Sequence, residues 1–175
     1  MKFKSLVIEN YRVFYGRQVI DLTTTDTKNL ILFGGLNGAG KTSILTAFQL
    51  LLFGGVSIPK SHYPTLLNGA INNTYFNEGG RDCSIELVIE DQTEYRIQLK
   101  LYFNNEQGFT HDERVIHANG RRSLKTDVEF KVFMEKRIPS DVASFFVFDG
   151  EKIQDLVERQ ENGELKKAIQ NIISL

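Results

Sequence analysis

Residues Asn29 to Phe53 read NLILFGGLNGAGKTSILTAFQLLLF, and this stretch decides how the rest of the chain is understood. Its first part, Leu30-Ile31-Leu32-Phe33, is a continuous apolar run too short for a helix and without polar alternation, which predicts a strand buried on both faces. Gly34 follows, and then Gly35-Leu36-Asn37-Gly38-Ala39-Gly40-Lys41-Thr42, the spacing G-x-x-x-x-G-K-[ST] of a P-loop. From Lys41 to Phe53 the chain is rich in Leu, Ile, Ala and Phe, interrupted mainly by Thr46 and Gln49, so a mostly buried helix is expected.

Each residue type in the loop has a physical reason. Gly38 and Gly40 lack a Cβ, which lets the backbone curl until successive N–H groups, Ala39 among them, point inward at phosphate oxygens. The helix that follows adds the positive end of its dipole. Lys41 is expected to place its ammonium between the β- and γ-phosphates, Thr42 to offer a hydroxyl to Mg²⁺, and Ser43 a hydroxyl to the α-phosphate. ATP and Mg²⁺ are thus the cofactors the loop implies.

Outward from this stretch, 175 residues make one domain or a large piece of one. The net charge of -1 places any nucleic-acid contact in a local patch rather than a global basic excess. A single cysteine, Cys83, excludes an internal disulfide framework, and no apolar run approaches the length of a membrane span. A soluble cytoplasmic protein is expected.

Toward the N-terminus, Lys2 to Glu9 and Arg17 to Leu22 read as strands joined by Asn10-Tyr11-Arg12-Val13-Phe14-Tyr15-Gly16. Arg12 in that connection is a candidate for a phosphate or a DNA backbone, against the alternative of a solvated surface charge. Beyond the helix, Gly54-Gly55 ends it and Val56 to Gly80 is polar and irregular. Alternation then sets in. Ile85, Leu87 and Ile89, and after a turn near Asp91-Gln92 also Tyr95, Ile97, Leu99, Leu101 and Phe103, predict an antiparallel hairpin with one wet face.

Thr110 to Ala118 is expected as a further strand, turned by Asn119-Gly120. Between Gly120 and Arg137 stand Arg121, Arg122, Lys125, Lys131, Lys136 and Arg137 against Asp127, Glu129 and Glu135, a nucleic-acid footprint or a mixed-charge solvated face. Asp127 to Arg137 has Phe130, Phe133 and Met134 at helical spacing, read as core. Ala143 to Phe148 is a second apolar strand running into Asp149-Gly150-Glu151, and from Ile153 onward apolar residues recur at helical spacing up to the last residue. Asp149 is a candidate Mg²⁺ ligand in two ways. It closes a Walker B strand of a self-contained NTPase, with Glu151 polarising water, or it approaches the metal from another side in a larger ATPase.

With Asn10-Tyr11-Arg12, Asn37-Gly38-Ala39-Gly40-Lys41-Thr42-Ser43, Leu66-Leu67-Asn68-Gly69 before the hairpin, and Phe133-Met134-Glu135-Lys136-Arg137-Ile138-Pro139 before the last strand, the chain resembles the N-terminal half of an SMC-like ABC-type ATPase. Within that group, the run Phe145-Phe146-Val147-Phe148-Asp149-Gly150-Glu151-Lys152-Ile153 most resembles the DndD family, ATPases of bacterial DNA phosphorothioation. The resemblance implies an α/β P-loop NTPase lobe with a mixed sheet, an antiparallel hairpin and flanking helices. It covers residues 1–160, and 161–175 would begin a helix or coiled coil toward a C-terminal half. That half would bring the signature motif, Walker B and the catalytic glutamate, so no catalytic residue is assigned within this lobe. Implied partners are the chain's own C-terminal lobe, a second head in a homodimer, DNA and other DNA-modification proteins. By the same resemblance Arg12 contacts phosphate, Asn37 lies near the γ-phosphate, Leu66 and Leu67 lie near the adenine, and Asp149 falls where the group usually has the Q-loop glutamine.

Overall fold

Cys83, Ile85, Leu87 and Ile89 fall on one side of a strand and are all buried, with Glu86 and Val88 also covered on the other, and the register of its neighbours lines their apolar side chains up with the first set. The computed structural model describes residues 1–54, 58–123 and 127–137. Strand β1 (Lys2–Glu9) pairs antiparallel with β2 (Arg17–Asp21) on one side and with β3 (Asp82–Asp91) on the other. Beyond β3 follow β4 (Thr93–Phe103), β5 (Phe109–Ala118) and β6 (Arg121–Ser123), giving the order β2-β1-β3-β4-β5-β6. The β3–β4 turn holds Gln92 at φ 59°, and Asn119-Gly120, both at positive φ, joins β5 to β6 as the sequence predicts.

Leu6, Ile8, Ile85, Leu87, Ile97, Leu99 and Ile116 share the core side of the sheet. Helix α1 (Lys41–Phe53) lies on that side against β3 and β4, burying Ala47 and Leu50 to Phe53, with Phe48 and Phe3 in ring contact at 5.8 Å. Full burial of side chains such as Leu50 and Leu51 contributes about 2 kcal/mol each. Helix α4 (Asp127–Glu135) buries Phe130, Phe133 and Met134, and Phe133 meets Tyr95 edge-on at 4.8 Å. The stripe is core, as its spacing indicates. Among the described residues after α1 are a 3₁₀ turn at Lys60–His62 and the short helices α2 (Tyr63–Leu66) and α3 (Asn73–Asn77).

One expectation is overturned. Leu30 to Phe33 form no strand with any described residue, and Leu30 and Leu32 are 84% and 87% exposed. The six paired strands satisfy one another, all antiparallel, so the mixed sheet is not found among the described residues. Burial on both faces requires a layer on each side and a hydrogen-bonded neighbour along the edge. The described residues provide neither for this run. Residues 143–148, Asp149, Glu151 and the periodic segment from Ile153 onward lie outside the described residues. No helix among the described residues is long and apolar enough to cross a membrane.

Candidate functional site

The site is built at the N-terminus of α1, where the preceding glycines set the backbone. Gly38 has φ 82° and Gly40 φ 99°, conformations that a residue with a Cβ adopts only under strain. Gly40 is the N-terminal cap of α1 without a side-chain cap, so the first-turn N–H groups have no partner within the helix. Between the glycines, the Ala39 N–H donates to the Leu36 carbonyl at 3.2 Å. The Lys41 ammonium folds back over the loop and donates to the carbonyls of Gly35 and Leu36, both at 2.8 Å. A phosphate oxygen would compete with these two carbonyls for the same donor.

Asn37, Gly38, Ala39, Lys41 and Thr42 are exposed, Gly40 is buried, and Ser43 is only 6% exposed. The Thr42 carbonyl accepts from the Thr46 hydroxyl at 2.8 Å, which uses the backbone of Thr42 and leaves its hydroxyl to solvent-side chemistry. Leu67 is completely buried in the core, while Leu66 beside it is 36% exposed. Of the pair expected near the adenine, Leu66 is the one whose side chain reaches the surface.

A second loop packs onto the first. A Cβ built on Gly40 would lie 2.8 Å from Cγ2 of Val13 and 2.7 Å from Cζ of Phe14, so the β1–β2 connection touches the start of α1. Arg12 immediately precedes this contact and is itself at φ 51°. Its guanidinium lies 5.5 Å from the Tyr11 ring centroid. Tyr11 is fully buried, and its hydroxyl is pushed up to about 12 by desolvation, with the Arg12 charge acting in the opposite sense. The fold thus gathers Arg12 and residues 35–43 into one region from two separate parts of the sequence. Asp149 lies outside the described residues.

The far end of α1 is also held. Arg114, on β5, donates from Nη2 to the Leu50 carbonyl at 3.0 Å, and its guanidinium carbon sits 4.1 Å from the Phe130 ring centroid. A cation at a helix C-terminus complements the dipole whose positive end faces the loop. Charge and sheet position gave no sign of this in the sequence, because Arg114 occupies a core-side register opposite Leu99. Val13, Phe14 and Asn72 were also missed. Asn72 precedes Asn73-Thr74-Tyr75, and an Asn ahead of a short helical segment is the one signal that could have singled it out.

Two shallow depressions, about 260 and 200 Å³, lie on the open face of the sheet around Gln98 and Lys100. No residue of the 34–43 loop lines either one.

An antiparallel sheet with flanking helices, and a glycine loop opening a buried helix on its core side, fit an α/β NTPase fold. The chain belongs to the AAA domain family, which matches residues 5–175. It is an SMC-like ATPase N-terminal region, and ATP binding is the function that membership carries. No curated protein matches the chain significantly.

Proposed function

We propose that the chain is the nucleotide-binding lobe of an SMC-like ATPase that acts on DNA, with DNA phosphorothioation as its pathway. The observation that carries the nucleotide part is the placement of Lys41 Nζ over the loop at 2.8 Å from two of its carbonyls, at the uncapped start of α1. On this reading the amides of residues 38 and 40–42 and the Lys41 ammonium hold the β- and γ-phosphates, the Ala39 amide joins them only by leaving the Leu36 carbonyl, and Asn37 and Arg12 approach from the rim. Ser43 serves the α-phosphate after a side-chain rotation out of its buried position, and Leu66 marks the adenine side, while Leu67, fully buried, is core rather than a nucleotide contact. Thr42 supplies one Mg²⁺ ligand and Asp149 a second, as a carboxylate where relatives carry glutamine. Mg²⁺ supplies neutralisation of the phosphate charge, and the loop's donors act by the same electrostatic route.

The DNA and phosphorothioation part is supported by the run from Phe145 to Ile153. Its partners on this reading are the chain's own C-terminal lobe, a second head that closes over ATP, DNA and other DNA-modification proteins. The general base and signature motif belong to the C-terminal lobe, so the 175 residues bind nucleotide weakly and turn it over slowly.

The test is titration of the 175-residue protein with a fluorescent ATP analogue and Mg²⁺, alongside a phosphate-release assay. Saturable binding that Lys41→Ala removes, with negligible hydrolysis, is expected. Absence of binding would overturn the nucleotide assignment. Steady hydrolysis that Lys41→Ala abolishes would overturn the split-head reading in favour of a self-contained NTPase with Asp149 as Walker B.

A further inference from the structure

The conformation of Arg12 is imposed by a segment some sixty residues away. Tyr11 bridges antiparallel to Ile71, the Arg12 N–H donates to the Ala70 carbonyl at 2.7 Å, and the Asn72 N–H donates to the Asn10 carbonyl at 2.7 Å. Residues 10–12 are therefore laid along residues 70–72. Asn72 completes this with its side chain, which is 7% exposed. Its Nδ2 donates to the Arg12 carbonyl at 2.8 Å, and its Oδ1 accepts from the N–H groups of Thr74 at 3.0 Å and Tyr75 at 3.2 Å. Two N–H donors on one side and a carbonyl on the other fix which way the amide points.

Both halves of that amide have a separate task. Oδ1 caps α3, and Nδ2 orients the peptide that leaves Arg12 toward Val13 and Phe14, the residues in contact with Gly40. Arg12 is held at φ 51°, a region that side chains with a Cβ occupy only where surrounding contacts determine it. Removing the Nδ2 bond frees the Arg12 peptide to relax, and with it the direction in which the guanidinium leaves the loop.

We infer that Asn72 is a positioning residue of the phosphate site, which aims Arg12 at the bound triphosphate without touching the nucleotide. The inference rests on the reading of Arg12 as a phosphate ligand. Asn72→Asp separates the two tasks, because a carboxylate still accepts from Thr74 and Tyr75 but has no N–H for the Arg12 carbonyl. Asn72→Ser is the uncharged counterpart, a good cap too short to reach Arg12.

The experiment measures binding of fluorescent ATP and AMP analogues with Mg²⁺ to wild type, Arg12→Ala, Asn72→Asp, Asn72→Ser and the Arg12→Ala/Asn72→Asp double variant, with melting midpoints in parallel. Loss of a charged hydrogen bond should weaken ATP binding by Arg12→Ala about tenfold. Asn72→Asp and Asn72→Ser are expected to weaken it several-fold and leave AMP binding within about twofold, with a lowered melting midpoint in both because the Arg12 carbonyl loses a part-buried donor. The double variant should bind ATP no more weakly than Arg12→Ala. If Arg12→Ala weakens binding while both Asn72 variants bind ATP as wild type does, or if the losses multiply in the double variant, the inference is overturned with the Arg12 reading intact. If Arg12→Ala binds ATP normally, the Arg12 reading itself fails and the positioning role falls with it.

Discussion

Phe14 lies against Gly40 so closely that a Cβ at position 40 would stand 2.7 Å from its Cζ, and Gly40 itself is at φ 99°. Both facts oppose any side chain there. Gly40→Ala is expected to destabilise the fold by about 1–3 kcal/mol, from backbone strain and displaced packing together. Urea unfolding measures this, and Phe14→Ala in the same chain should recover only part of the steric share, because the Val13 contact at 2.8 Å and the φ penalty remain. ATP binding should weaken in both variants.

Lys41 is exposed and its two hydrogen bonds are to loop carbonyls, so it serves the loop more than the core. Lys41→Met should leave the unfolding midpoint unchanged while weakening binding of an ATP analogue at least about tenfold. An AMP analogue, which lacks the β- and γ-phosphates, should be affected far less. Equal losses for both nucleotides would show that Lys41 does not discriminate the triphosphate.

Arg114 combines a hydrogen bond to the Leu50 carbonyl with a ring contact to Phe130 inside the protein. Arg114→Met should cost about 2–4 kcal/mol in denaturant unfolding, as the sum of a helix-terminus cation and a desolvated cation–π contact. Arg114→Lys keeps the charge but not the planar fork, and is expected to restore less than half of that loss.

The buried acids set an alkaline limit. Cys83 is buried on β3, and desolvation, with the neighbouring Asp82 charge, raises its thiol well above the ordinary value of 9.0. Tyr11 is raised from 10.0 to about 12. The folded state keeps both protonated at a pH where the unfolded chain releases them. Their stabilisation is complete below about pH 9 and is lost as pH rises through the raised values. The melting midpoint should hold to about pH 8.5 and fall above it, and Cys83→Val should move the onset of the fall upward toward pH 10. Thiol labelling near pH 8 should be slow in the folded protein and prompt in urea.

Much of this fold is legible because its signals are local. Helix α1 occupies Lys41–Phe53 as the apolar content after the glycine loop indicates, and the β3–β4 hairpin follows from alternation through Ile85 to Ile89 and Tyr95 to Phe103. Phe130, Phe133 and Met134 declare their helix by spacing. Leu30 to Phe33 mislead for a physical reason: an apolar run specifies that it must be covered, but not by which residues. Strand β6 and the short helices α2 and α3 are too brief for periodicity to register. Within the site, the glycine loop is spelled out in consecutive residues, while the support for Arg12 is not. Asn72 and Arg12 meet through pairing between distant segments, and nothing in either neighbourhood names the other.

The Leu50 carbonyl accepts from the Gly54 N–H and from Arg114, each at 3.0 Å. A rod tethered at its distal tip to a neighbouring strand resists sliding along its axis, since any axial shift breaks a sheltered bond, whereas pivoting about the tether does not. Phe130, stacked against the tethering guanidinium, joins that anchor to α4, so one cation fastens two helices to the same strand.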